Sequence, residues 1–370
     1  MLVPLIYNPL GGAFLPVKRI ILYGMVAALG VAWMLLLRKS DRRWRTTPGM
    51  LLGLTYTTVA LASVFWSTNR FSALVEATQL IALLTLFVFT LNNFDIHDFS
   101  IITRYVAAAG GLVAVVGILQ YFGLDIAILD TAGLRHLRIP SAGLPSGTFS
   151  FRNATASFLI GSLPLALLAW HTDPNHKRRN IWFATTIAMA MLLIFTRTRG
   201  AWLGIVAGTM VSTLYLITKK QSPFATIRRK PIQAIAVIFG FLVVIQLSPK
   251  KERSPQPFDV VKDSATTALT SILGPDADRG RFTFWGNTLQ MISDHPILGV
   301  GFGNWEYHYP SYDRHRKWHP SNSEPVRPHN DVLWIWSELG SIGLFGFLGF
   351  VGLTLFQSFK SGSGHKEDAY

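Results

Sequence analysis

The chain has 370 residues, 50% of them hydrophobic and only 15% charged, with a formal net charge of +14 and no cysteine. Soluble domains carry about 25% charged residues. Here the charges gather in short clusters between apolar stretches of bilayer-spanning length, which excludes a soluble globular fold, nucleic acid as the reason for the basic balance, and any disulfide or thiolate chemistry.

The opening segment, "MLVPLIYNPLGGAFLPVKR", places Pro4, Pro9, Gly11, Gly12 and Pro16 in a short apolar run whose charges follow it. No cleavable signal peptide is expected from that order. Nine spans are then predicted, at about 20–37, 48–66, 71–91, 101–122, 154–170, 181–196, 201–218, 232–248 and 331–357. The fold class expected is an all-α polytopic bundle. Its domains are a membrane bundle of eight spans over 1–248, a loop over 249–328, and a last span with its tail over 329–370.

Alternate connectors differ in charge. One set holds Arg38, Lys39, Arg42, Arg43 and Arg45, then Lys177, Arg178 and Arg179, then Lys219, Lys220, Arg228, Arg229 and Lys230, then Lys360 and Lys366. The short connectors of the other set hold Arg70, Arg135, Arg138, Arg152, Arg197 and Arg199. Fifteen basic residues against six assign the first set to the cytoplasm. The long connector 249–328 then faces outward, and with ten Lys/Arg against nine Asp/Glu it is nearly neutral. Its length suits a functional lid with structure of its own.

The chemistry-bearing groups fall on that outer face. "IFTRTRGAWLGI" carries Arg197 and Arg199, "DADRGRFTFW" carries Arg279 and Arg281, and "RPHND" carries His329 at the entrance of the last span. An arginine at a helix end ordinarily snorkels to headgroups, and Arg70, Arg104 and Arg138 are read that way. Two arginine pairs and one histidine on a single face instead suit an anionic, phosphate-bearing ligand, because guanidinium forks match phosphate oxygens in pairs. After Arg281, Phe282, Trp285, Leu289 and Ile292 repeat at helical spacing. An amphipathic helix on the outer leaflet is predicted, with Arg281 at its positive N-terminal end. "GVGFGNW" reads as a glycine turn, since neither strand nor helix frames it as a nucleotide loop. Asp276 and Asp278 are a weak pair for a divalent cation, and no metal or other cofactor is expected. His308, His315 and His319 are read as surface residues. Glu76 and Glu338 lie inside spans, where carboxylates are costly. Glu338 is expected to bond a neighbouring helix.

These stretches together resemble the family of O-antigen ligases and related polysaccharide polymerases, over about 145–345. "GTFSFRNATASFLIGSLPLAL" is similar to an Asn-containing stretch before a Pro-bearing span, and "TRTRGAWLGIVAG" to a Ser/Thr-Arg-Gly segment. "RFTFWGNTLQMISDHPILGVGFGNW" is similar to an Arg-x3-Trp segment with a following Gly-x-Gly turn. "HNDVLWIWSELGSIG" matches a His-Asn pattern followed by Gly-x-x-Gly. Family members commonly carry a further span before the opening segment and more after the histidine-bearing one, so the chain departs from the family pattern at both ends. The resemblance implies a metal-independent, multi-pass enzyme of the bacterial inner membrane with its active site on the periplasmic side. Such an enzyme transfers a glycan from undecaprenyl diphosphate to a hydroxyl, with inversion. The acceptor expected first is the lipid A core, with a second repeat unit or a protein hydroxyl as alternatives. The catalytic set carried over is His329, Arg281 and Arg199, with Arg197, Arg279, Asn330 and Asn153 as substrate-binding neighbours. The competing reading is a small-anion transporter, against which stands the lack of an inverted repeat or paired half-helices.

Overall fold

The computed structural model describes residues 14–37, 45–94, 96–122, 145–149, 151–218, 281–313 and 326–364. Span eight, Arg138, Arg279, the Asp276/Asp278 pair, His315, His319 and the boundary expected at 248 lie outside them. The described residues form α-helices and one 3-10 turn, with no strand. The helices are α1 (Phe14–Leu37), α2 (Pro48–Ala62), α3 (Arg70–Asn93), α4 (Ile96–Tyr121), α5 (Arg152–Thr172), α6 (His176–Phe195), α7 (Arg199–Thr218), α8 (Arg281–Asp294), α9 (Trp305–Tyr312) and α10 (Asp331–Gly364). Six of these are long and apolar enough to cross a membrane, and α7 holds a shorter apolar stretch. The chain is an all-α, multi-pass membrane protein.

Side-chain caps set the helix starts. Thr47 accepts from the Met50 N–H at 3.2 Å ahead of Pro48, and Asn69 accepts from the Ser72 N–H at 3.0 Å. Asn175 accepts from the Lys177 and Arg178 amides. Each satisfies a donor that the first helical turn leaves open.

The chain divides into two compact units. The first holds α1 up to Leu22 together with α4 to α7. Its core is small-residue packing: Ala107, Val113, Ala114, Leu159, Met189 and Leu192 are buried together. A Cβ at Gly117 would stand 2.5 Å from the Leu192 side chain, so glycine there lets α6 seat against α4. Lys18, buried at 5% exposure, donates to the Thr148 carbonyl at 2.7 Å and caps the Phe149 ring at 3.9 Å. Together with Gln120, which donates to the Gly147 carbonyl, it pins segment 145–149 to the bundle. Arg104 is no free snorkel. It pairs at 3.6 Å with Asp173, which Arg178 also approaches at 3.4 Å.

The second unit holds α1 from Tyr23 with α2, α3, α8, α9 and α10. Glycines also bring α2 and α10 together: Gly346 lies against the Tyr56 backbone and Gly53 against the Phe350 ring. The last span is not the continuous helix the hydropathy predicts. At Gly340 the backbone turns to φ 62, ψ −168, which breaks α10 into two helical pieces. The break is buried in protein, where its freed polar groups find partners, as a bilayer requires.

Candidate active site

The break at Gly340 is filled by the glycine turn. The Ser337 and Glu338 carbonyls, left open by the interruption, accept from the Val300 and Gly301 amides, each at 2.9 Å. On the far side Ser341 donates through both its amide and its hydroxyl to the Pro296 carbonyl. The contact is too close for side chains: a Cβ at Gly340 would lie 2.0 Å from the Ile297 carbonyl oxygen. Gly301, at φ 101, faces Ser67 in the turn between α2 and α3 at the same separation. Glu338, 1% exposed, completes the joint. One carboxyl oxygen accepts from the Gly303 N–H and the other from the Trp305 N–H, both at 2.8 Å. Its partners are therefore this turn and the start of α9, a neighbouring helix as expected, though not a membrane-spanning one. Phe302 and Asn304 fasten the turn to Ser63 and Asn69 beside α3.

On this base stands segment 326–330. Trp285, one turn into α8, donates its indole N–H to the Pro328 carbonyl at 2.9 Å. Asn330 caps α10, its side-chain oxygen accepting from the Val332 and Leu333 amides at 3.1 and 3.2 Å. Between these two anchors His329 is exposed and adopts φ 56. A non-glycine residue in that region costs of order 1–3 kcal/mol and persists only where its surroundings dictate it. Arg281 opens α8 and, like the ring, is exposed. Partial burial first, then the charges of Arg281 and Arg327, hold the His329 imidazole below the usual histidine range. The ring is thus neutral and able to accept a proton near neutral pH.

The helix that carries Arg281 is amphipathic, with a buried face of Phe284, Thr288, Met291 and Ile292. Phe282 and Leu289, expected on the apolar stripe, are instead exposed at 67% and 49%. The buried face packs on Trp305 and Tyr309 of α9, and Thr288 accepts from the Trp305 indole at 3.1 Å. Ion-pair and aromatic partners the sequence did not reveal complete the site: Arg327 lies over the Trp334 ring at 4.3 Å and pairs with Glu76 of α3 at 3.5 Å. Arg327 was readable only as a neighbour of the histidine in "RPHND". Its link to Glu76 spans 251 positions and leaves no local trace. His308, read as a surface residue, bonds the Thr68 hydroxyl at 2.9 Å, and burial followed by the nearby His295 lowers its pKa.

The remaining predicted residues belong to the first unit. Arg199 opens α7. Arg197, half-buried at the end of α6, has φ 49. Asn153, near the start of α5, accepts from the Thr198 hydroxyl at 3.3 Å.

Residues 184–348 match the family model described as O-antigen ligase. Over these residues the chain is similar to that family. That stretch contains both arginines at the α6–α7 turn, the whole of α8, the glycine turn and His329. The chain is also 25% identical over 203 residues to an O-antigen ligase of Salmonella typhimurium strain LT2, covering 54% of this chain. It spans about half the length of that relative, 45%. The matched stretch therefore includes every element that holds His329 except the α2–α3 turn and Glu76.

Proposed function

We propose that this chain is a membrane glycosyltransferase that moves a glycan from undecaprenyl diphosphate to a hydroxyl of the lipid A core, on the periplasmic face of the bacterial inner membrane. The observation that carries the reading is His329: an exposed imidazole in a strained backbone conformation, anchored on both sides and standing in the field of Arg281, which disfavours its charged form. His329 takes the proton of the acceptor hydroxyl. The oxygen attacks the anomeric carbon, and the bond from that carbon to the diphosphate breaks from the opposite side, which inverts the centre. The diphosphate departs with the bonding electrons, and the Arg281 guanidinium holds the charge that grows on its oxygen. Arg199 carries the same assignment from its motif, with Arg197, Arg279 and Asn153 as secondary binding groups. A guanidinium stays protonated throughout, so this stabilisation needs no metal. Asn330 acts through its cap, which fixes the histidine.

The test is transfer by the purified chain in bilayer discs, supplied with an undecaprenyl diphosphate glycan and lipid A core. His329→Ala is expected to lose roughly 10²- to 10⁴-fold in rate, the share of a positioned general base, while donor binding changes little. Transfer at the parental rate by that variant removes the assignment. Arg281→Lys is expected to lose transfer as well, because an ammonium cannot grip two phosphate oxygens as a fork does.

A further inference from the structure

Arg327 is exposed at the entrance of α10, yet it is held on two sides. Its guanidinium lies 4.3 Å over the indole of Trp334 and 3.5 Å from the Glu76 carboxylate. The two partners come from different helices, α10 and α3, so the side chain bridges them. Its seat is also fixed: the Trp334 ring stacks on Phe302 of the glycine turn at 6.0 Å between centroids. Glu338, buried one helical turn further on, is locked to that same turn. Arg327 is separated from His329 by Pro328 alone, whose ring restricts the backbone and whose carbonyl is held by Trp285. A guanidinium immobilised two residues before a left-handed histidine restrains the backbone that leads to it.

We propose that Arg327 is a positioning residue for His329: gripped by Glu76 and the Trp334 ring, it holds the histidine in its left-handed conformation and keeps a fixed positive charge beside the imidazole. Among the described residues, the charges acting on the ring are Arg281 from α8 and Arg327 from its own segment, with Glu76 of α3 paired to Arg327. Cation–π stacking and the carboxylate together make the seat specific for a planar guanidinium. A lysine keeps the charge and loses both the fork and the flat stack. The catalytic consequence rests on the transferase reading above, whereas the effect on the histidine itself does not.

The experiment therefore reads both. Chains labelled in their histidine rings are titrated by NMR in bilayer discs without substrate, and the His329 signal is assigned by its loss in His329→Gln. Arg327→Gln is expected to raise the His329 midpoint by roughly half a unit, as removal of one nearby cation should. Arg327→Lys is expected to leave the midpoint within about 0.2 unit but to lower kcat roughly tenfold at unchanged KM for the lipid-linked donor, the signature of a misplaced base. An unmoved midpoint in Arg327→Gln overturns the proposal, as does parental kcat in Arg327→Lys. Should the glutamine variant fail to fold, the lysine variant decides. Should His329→Ala keep its transfer activity, the general-base assignment falls while the titration still reports whether Arg327 governs the ring.

Discussion

Glu338 offers the sharpest test of how the site is held up. It is 1% exposed, and its two oxygens accept from the Gly303 and Trp305 amides at 2.8 Å each. Glu338→Ala leaves both N–H groups without an acceptor and opens a cavity. An orphaned buried donor costs about 1–3 kcal/mol, and breaking a hydrogen-bonded buried carboxyl about 3–5 kcal/mol in all. Glu338→Gln keeps one acceptor oxygen but turns an amide NH₂ toward the other donor, so roughly half of that loss is expected. Thermal unfolding in detergent should follow the order parent, Gln, Ala, with the alanine variant lowered by about 10 °C if 1 kcal/mol moves the midpoint by about 2–4 °C. Hydrogen exchange localises the effect: amides 299–305 should lose protection first, before those of α2 and α3. Equal melting of all three chains, or a glutamine variant less stable than the alanine one, would show that the carboxyl does not anchor the turn.

Other expectations follow from the same geometry. His329 is held below the usual histidine range by burial, Arg281 and Arg327. The folded chain therefore binds that proton less readily than the unfolded one. Its contribution to stability is undiminished above the unfolded value of about 6.5 and falls as pH drops through it. The acid limb of transfer should correspondingly lie below pH 6.5, and a limb above that value refutes the depressed ring. Gly346→Leu would drive a side chain into the Tyr56 backbone, 3.2 Å from the nearest Cβ position. It should cost about 1–3 kcal/mol of overpacking, measured as a lower midpoint of thermal unfolding. Asp173, 2% exposed, accepts from the Trp182 indole at 3.1 Å and pairs with Arg104 and Arg178. Asp173→Asn should destabilise the first unit by about 1–3 kcal/mol, and protease sensitivity appearing between α5 and α6 is the readout.

The elements were legible because apolar length is a local property: α1 to α5 stand within a few residues of the hydropathic stretches that announced them, as do the glycine turn and the start of α8. The parts that were not legible are those decided by distant partners. Nothing near Gly340 marks it as a break; another glycine in a run of them, it becomes one because residues 296–301 supply the hydrogen bonds that the helix gives up. Which apolar residues of α8 turn inward was hidden for a related reason. Both Phe282 and Phe284 are apolar, and the choice of buried face was made by Trp305 and Tyr309. Arginine pairs drew attention in the sequence as doublets, whereas Arg327 acts alone, through Glu76.

The interrupted last helix explains how His329, the base of the proposed reaction, can be held rigid. A histidine on the end of a continuous span would share the fraying of any helix terminus. Here the piece from Asp331 to Leu339 is tied at its far end to the glycine turn through Glu338 and at its near end by the Asn330 cap. The turn is tied in turn to Ser63, Ser67 and Asn69 between α2 and α3, so the far end of this short helix is braced against the connection between two spans. The strain at His329, about 1–3 kcal/mol, is small beside that many buried hydrogen bonds and can be held indefinitely. A lipid-anchored donor presents its reactive carbon at a depth fixed by the bilayer, so a base that drifted would meet it rarely. On the proposed reading, seating the imidazole in a short anchored segment at the start of this braced half-helix would convert the depth of the donor into a fixed distance for attack.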